Sequence, residues 1–319
     1  MGADGMTKEK IRRLVEGCLA QNPCALDARY GEPMAARCTF RVGGPADCLL
    51  RPSGEGFPAF AASLLGRAGA EGVPVFVLGG GANIVVSDDG IRGIVLDSGG
   101  WSGGSALGEG VMGFRSGTTL DWAAEAAAAA GLSGLEFLAG MPGSIGGAVW
   151  MNARCYGKEV SDVLLETEGL DFSGGAPARF RRPADPGEFG YKLSPFQGRK
   201  TLILSARFKL EPGEPGRIRA EMDGYRRDRE GKGHYRFPSA GSVFKNDRAF
   251  GRPTGQIVDE LGLRGLRVGG AQVAPWHGNI IVNAGGATAA DVRALTLELA
   301  AKVRSATGLE LEPEIIFVP

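Results

Sequence analysis

Several things are scarce in this chain, and each scarcity excludes something. Neither charge sign is in surplus: Lys+Arg and Asp+Glu both number 36, so the net charge is zero. Nucleic acid is therefore not the expected partner, because neutralising phosphates usually leaves a basic excess. Long apolar runs are lacking too. No stretch approaches the ~18 apolar residues of a membrane span, and the N-terminal MGADGMTKEKIRRLVEG has no apolar signal core. The five cysteines (Cys18, Cys24, Cys38, Cys48, Cys155) are odd in number and form no C-x-x-C pair, which suggests neither a disulfide framework nor a metal site. The expected setting is the cytoplasm. There are only two histidines, His234 and His277, so a Ser-His-Asp triad is hard to build. Gly100–Gly104 does fit G-x-S-x-G, but the helix that the motif needs after it is not expected. Ser242-Val243-Phe244-Lys245 fits S-x-x-K, yet no S-D-N or K-T-G follows, and no phosphate-binding G-x-x-x-x-G-K-[ST] occurs anywhere.

Glycine, by contrast, is abundant. The chain has 53, where ordinary usage of about 7% would give roughly 22. Hydrophobic residues at 43% and charged residues at 23% are ordinary for a folded protein, and the glycines show no G-X-Y period. The backbone must therefore turn often or approach something closely.

The coarse pattern is mixed α and β. A helix is expected over 8–20, with Ile11, Leu14, Val15, Cys18 and Leu19 on one side. Strand-like runs follow at 38–42, 74–78, 84–86 and 93–96, and 98–109 reads as a Gly/Ser-rich loop. An alanine-rich helix is expected over 120–130, ended by Gly131, and 201–210 alternates like a half-buried strand. Pro212, Gly213, Pro215 and Gly216 mark a boundary. A short helix near 256–261 precedes a longer one starting at Thr288, with Asp291 as capping-box partner and Val292, Leu295, Leu299 and Val303 as its apolar stripe.

Two glycine loops stand out. In 77–86 a strand-like run leads into Gly79-Gly80-Gly81-Ala82-Asn83, then into another strand-like run instead of the helix a dinucleotide-binding turn requires. Such a loop suits a tight turn between strands, and it equally suits a diphosphate held by main-chain N–H groups. A second loop, Gly140-Met141-Pro142-Gly143-Ser144-Ile145-Gly146-Gly147, has the same character. Together they favour an extended diphosphate cofactor held by backbone.

At these residues the chain resembles the UDP-N-acetylenolpyruvoylglucosamine reductase family. The resemblance is carried in order by Thr39-Phe40-Arg41-Val42-Gly43-Gly44-Pro45-Ala46, by 78–83, by 134–148, by Pro238-Ser239-Ala240-Gly241-Ser242-Val243-Phe244-Lys245-Asn246 and by Leu311-Glu312-Pro313-Glu314. The short spacings from Lys192 to Arg229 and from Ser242 to His277 resemble the family's compact subtype, which lacks an extra substrate-covering loop. The resemblance implies an α+β architecture: an FAD-binding fold of the vanillyl-alcohol-oxidase (PCMH) type made of two α/β lobes, plus a smaller α/β substrate-binding domain. The implied boundaries are 1–212 for the FAD domain (lobes about 20–97 and 98–212), 213–305 for the substrate domain, and 306–319 for a segment returning Glu314 toward the FAD domain.

The family reaction implies FAD as cofactor, NADPH as co-substrate and a UDP-sugar enolpyruvyl ether as substrate, handled by a monomer. An enol ether accepts hydride only where developing carboxylate charge is stabilised and a proton follows. The resemblance assigns the proton to Ser242, a second catalytic group to Glu314 and the cation to Lys192, where the family has arginine after the tyrosine matched by Tyr191. Lysine keeps the charge and loses the bidentate fork. Arg154-Cys155 is another departure, at positions where the family has small residues; Arg154 either lies beside the flavin or points to solvent. FAD contacts are implied for Arg41, Val42, Gly43, Gly79, Gly80, Gly81, Ala82, Asn83, Gly140, Pro142, Gly143, Ser144, Gly146 and Gly147, and substrate contacts for Tyr191, Arg229, Lys232, Asn246 and His277. If the terminal segment is extended, Glu312 and Glu314 face the same side. A rival flavin oxidoreductase would leave PSAGSVFKN and EPE unexplained, and a non-catalytic nucleotide-sugar binder would lack the flavin colour.

Overall fold

A computed structural model describes residues 8–319; the first seven residues of the N-terminal stretch considered above lie outside them. The chain divides into two compact units. The first comprises the segment ending at Glu32, Asp47–Gly80 and Arg92–Arg226; the second comprises Pro33–Ala46, Gly81–Ile91 and Arg227–Pro319.

In the first unit, helix α1 (Lys8–Gln21) buries Ile11, Leu14, Val15 and Cys18 of the stripe that its periodicity predicts and leaves Leu19 only partly buried. It packs with α2 (Phe57–Ala70) over a four-stranded sheet. The strand order is β1 (Ala25–Pro33), β2 (Pro45–Ser53), β5 (Ile91–Asp97), β3 (Val75–Leu78), with β3 and β5 parallel. Strand β4 (Ile84–Val86) leaves this sheet. A second sheet of five antiparallel strands runs Ala178–Pro183, Leu164–Asp171, Thr201–Lys209, β7 (Val111–Arg115), β6 (Gly104–Gly108). Helices α3 (Leu120–Ala129) and α4 (Ile145–Met151) cover its core, with Ala123, Ala124, Ala127 and Ala128 all buried against Phe114, Phe137 and Phe208. The small side chains explain the alanine run, since they let the helix approach the sheet closely.

Helix α5 (Pro215–Gly231) carries the chain from the first unit into the second. There, the four-stranded antiparallel sheet Ser239–Ser242, Ile280–Asn283, Ala271–Val273, Arg267–Val268 packs under α6 (Thr254–Glu260) and α7 (Ala289–Thr307). Thr288 caps α7 in a reciprocal capping box with Asp291, and Val292, Leu295, Leu299 and Val303 are fully buried, as the sequence predicts. The terminal Ile316–Val318 pairs in parallel with β4.

Three expectations fail. Residues 38–42 are not a strand: Arg41 is left-handed (φ 56°), and the Cys38 carbonyl accepts the Arg41 N–H at 3.2 Å, closing a turn. The segment's hydrogen bonds go to loops, with Thr39 N–H reaching the Gly81 carbonyl at 3.0 Å and its hydroxyl reaching that of Ser239 at 2.7 Å. Residues 98–109 are not all loop, because Gly104–Gly108 forms the exposed edge strand β6. Glu312 and Glu314 do not share a side either. Glu314 is 9% exposed, whereas Glu312 lies outside and holds Lys245 Nζ at 2.6 Å. The segment is only a single bridge, Phe244 to Pro313, after which the Glu314 and Ile315 N–H groups both turn to the Val243 carbonyl.

Candidate active site

The two glycine loops meet within the first unit. Ser144 caps α4, and its Oγ accepts N–H bonds from Gly147 (3.4 Å) and from Gly80 (3.1 Å), joining the loops through one hydroxyl. Contact is closest at Gly80, where a Cβ would lie 2.6 Å from the Gly143 carbonyl carbon and 2.9 Å from the Ser144 nitrogen. Asp121 steadies the second loop from α3, accepting the Gly140 N–H at 2.8 Å and Arg226 Nη2 at 2.7 Å. Burial alone would raise this carboxyl, but Arg226 and the Gly140 amide hold it below its usual value. Among the described residues, the Gly143 and Ser144 N–H groups meet no acceptor. A cradle without side chains, with unanswered amides, fits the diphosphate of FAD. In this unit Gly79, Gly80, Gly140, Pro142, Gly143, Ser144, Gly146 and Gly147 would hold the cofactor.

The Tyr191-Lys192 turn belongs to the same unit. Gly190 and Leu193 bridge across it, and Lys192 is left-handed (φ 58°), an uncommon conformation for a side-chain-bearing residue. Asn152 supports the turn. Fully buried and itself left-handed at the end of α4, it donates from Nδ2 to the Gly190 carbonyl at 2.9 Å and accepts the Ser161 N–H at 3.0 Å. Gln197 Nε2 donates to the Lys192 carbonyl at 3.1 Å. Arg154 does not simply point to solvent: its guanidinium lies 5.6 Å from the Tyr191 ring centroid, with Glu159 at 3.6 Å.

In the second unit Ser242 and Glu314 meet on one backbone. Ser242 pairs with Ile280, and the next residue, Val243, accepts the Glu314 N–H at 2.7 Å. Asn83 Nδ2 in turn donates to the Glu314 carbonyl at 3.0 Å. Asn279, 1% exposed, binds this segment on both edges: Val243 N–H to its carbonyl (2.9 Å), Phe244 N–H to Oδ1 (3.0 Å) and Nδ2 to the Phe244 carbonyl (2.8 Å). Its own N–H goes to His277 Nδ1 at 3.1 Å. Asn246 Oδ1 accepts the Thr254 N–H at 2.9 Å, at the start of α6. Arg229 and Lys232, close in sequence, part company: Arg229 is 8% exposed with Nε on the Tyr235 hydroxyl (3.3 Å), and Lys232 is exposed and paired with Asp228. Arg41, Val42 and Gly43 occupy the turn already described, and Gly81, Ala82 and Asn83 lead into β4.

Sequence reasoning missed Asp121, Asn152 and Asn279. Only Asp121 left a trace, as one of two acids, with Glu125, in a helix otherwise made of apolar residues. The two asparagines act through backbone groups, which no spacing rule reveals.

A main-chain diphosphate cradle in a unit built on two sheets suits an FAD-binding flavoprotein, and the family match of this unit makes it one of the vanillyl-alcohol-oxidase (PCMH) type. A family model described as FAD binding domain matches residues 61–176, and one described as UDP-N-acetylenolpyruvoylglucosamine reductase, C-terminal domain, matches 233–318. The chain is 38% identical over 305 residues to the UDP-N-acetylenolpyruvoylglucosamine reductase of Treponema denticola, covering 90% of this chain and 92% of that one. It is 38% identical to that of Gloeobacter violaceus over 291 residues (90% and 95%). The solved structure of the Thermus caldophilus reductase superposes with a TM-score of 0.73 at 34% identity, over 93% of this chain and all of that one. The chain belongs to the UDP-N-acetylenolpyruvoylglucosamine reductase family.

Proposed function

We propose that this chain is an FAD-dependent oxidoreductase that uses NADPH to reduce UDP-N-acetylglucosamine enolpyruvate to UDP-N-acetylmuramate, a step of peptidoglycan precursor synthesis. Family membership over nine-tenths of the chain supports the activity. The observation that carries the site assignment is the shared backbone of Ser242, Val243 and Glu314 within the second unit, where Asn83 Nδ2 also holds the Glu314 carbonyl. When bound, FAD supplies the hydride after NADPH has reduced it. Ser242 Oγ gives the proton to the enolpyruvyl carbon that does not receive the hydride. Lys192 stabilises charge developing on the neighbouring carboxylate, and Glu314 is the second catalytic group. Tyr191, Asn246 and His277 orient the substrate, while Arg229 and Lys232 take its diphosphate. Residues 213–305 serve as the substrate domain of a cytoplasmic monomer, and 306–319 bring in Glu314. Among the described residues, no helix is long and apolar enough to cross a membrane.

The test is NADPH oxidation that depends on UDP-N-acetylglucosamine enolpyruvate, run on protein showing yellow flavin absorbance. Colourless protein that still binds UDP-sugars would replace this reading with a nucleotide-sugar binding protein. Yellow protein without enolpyruvate-dependent turnover would point to another flavin oxidoreductase.

A further inference from the structure

Helix α5 ends in a turn that sends the chain back on itself. His234 N–H reaches the Arg229 carbonyl at 3.1 Å, the closing bond of a Schellman-type turn, and the residue between them at the bend is left-handed Gly233 (φ 73°). Glycine is doubly required there, because a Cβ would fall 2.5 Å from Trp276 Nε1. Phe237 stacks on the same indole at 5.9 Å, fixing it against the turn. The turn therefore delivers the His234 ring to within 6.2 Å of the His277 ring, centroid to centroid, on the element that also carries the buried Arg229. Both imidazoles are half-buried. His277 Nδ1 already accepts the Asn279 N–H, so its neutral ring carries the proton on Nε2 and presents a donor.

The charged groups acting on this pair are Asp228 and Arg229 from the end of α5, Lys232 just past it, Asp259 from α6 and Arg264 from the loop after that helix. Asp228 pairs with Lys232 and Asp259 with Arg264. Three cations thus face two carboxylates before either imidazole is charged. Burial, then Arg229, push His234 down to about 4; burial also lowers His277. Among the described residues, no group of three His, Cys, Asp or Glu side chains is placed to hold a metal ion. Imidazole donors and surplus positive charge are the equipment of a phosphate site.

We propose that His234 is a further ligand-binding residue, and that the His234–His277 pair takes up a proton when a nucleoside diphosphate ester binds beside Arg229. The proposal rests on the reading of Arg229 and Lys232 as the diphosphate-binding residues. An arriving dianion reverses the local field, so that one imidazole nitrogen accepts a proton from solvent; no other bond changes. The proton belongs to the pair as a unit.

The experiment is calorimetric titration of the FAD-loaded protein with UDP-N-acetylglucosamine, whose doubly esterified diphosphate lacks the ionisation near about pH 6 that a phosphate monoester has. Binding should tighten as pH falls, by at most about tenfold per pH unit for one proton. The measured heat should also vary with the buffer's ionisation enthalpy in the sense of proton uptake. His234→Gln should bind more weakly at low pH and lose most of the pH slope; the buffer dependence of the unaltered protein tests uptake even if that variant folds poorly. Binding that is independent of both pH and buffer overturns the proposal while leaving the diphosphate reading intact. Arg229→Met binding as tightly as the unaltered protein, or no binding by the unaltered protein, overturns that reading and the proposal with it.

Discussion

Replacing Gly80 by alanine is the sharpest test of the main-chain cradle. The new methyl would sit 2.6 Å from both the Gly143 Cα and carbonyl carbon, where ordinary contact begins near 3.4 Å. The two loops must therefore separate by about 0.8 Å, and because both contacts are backbone, no side chain can rotate away. Overpacking of this kind costs about 1–3 kcal/mol. The movement also stretches the 3.1 Å bond from Gly80 N–H to Ser144 Oγ, the link between the loops. If the cradle positions the diphosphate of FAD, that disturbance also appears in cofactor affinity, at about tenfold for each 1.4 kcal/mol. Gly80→Ala should thus be purified with less flavin than the unaltered protein, show an FAD dissociation constant raised by about ten- to a hundredfold, and unfold at lower urea. The control is Gly174→Ala, where nothing lies within 4 Å of the added methyl and the backbone is not left-handed. That variant should match the parent in flavin content and stability. Full flavin occupancy with an unchanged FAD dissociation constant in Gly80→Ala would refute the cradle argument, whatever its urea midpoint.

Other outcomes follow from the same geometry. Ser242→Ala should leave flavin reduction by NADPH nearly intact in stopped-flow absorbance while enolpyruvate-dependent reoxidation collapses; normal turnover would remove Ser242 from the chemistry. Lys192→Met should slow the same second half-reaction, and unchanged reoxidation would place the cation elsewhere. Asn279→Ala deprives the buried Phe244 N–H and carbonyl of their partners, so it should destabilise by about 2–4 kcal/mol in urea titration. His234 also predicts a sign for pH. Its folded value of about 4 lies below the unfolded one near 6.5, so between these limits the unfolded chain binds more protons. Stability should therefore be constant above that window and fall as pH drops through it, with a smaller fall in His234→Gln; a midpoint that rises on acidification would contradict the assignment.

What was legible in the sequence follows from how each feature is encoded. The start and the apolar stripe of helix α7 could be read directly because its cap, capping-box partner and periodicity are all local. The glycine loops were legible because close backbone approach leaves only one residue type possible. Strand β1 was not: ALDARYGEP is mostly exposed, with only Leu26, Tyr30 and Glu32 half-buried at uneven spacing, so no alternation marks it, and it becomes a strand by pairing with β2. Edge strand β6 was hidden for a related reason, since Gly104–Gly108 is exposed throughout and has no apolar face to betray it. Glu312 and Glu314 were misjudged because alternation assumes an extended ladder, whereas one carbonyl, that of Val243, receives two successive N–H groups there.

The misread segment at 38–42 shows where such reasoning must fail near a site. Cys-Thr-Phe-Arg-Val has the β-branched and aromatic content of a strand, and Phe40 and Val42 are indeed buried. Yet Arg41 is left-handed, and Lys192 and Asn152 share that uncommon conformation. Arg41 and Lys192 are site candidates by family motif, and Asn152 holds the Lys192 turn through the Gly190 carbonyl. A left-handed arginine or lysine persists only where surrounding contacts outweigh its cost of about 1–3 kcal/mol. Here those contacts are specific: the Cys38 carbonyl for Arg41, and Gly190–Leu193 pairing plus Gln197 for Lys192. Lys192→Gly should therefore relieve local strain and leave or raise stability, while enolpyruvate-dependent reoxidation of the flavin falls. A variant that loses stability as well as activity would show that Lys192 holds the turn together, and the argument that its strain serves chemistry would be wrong.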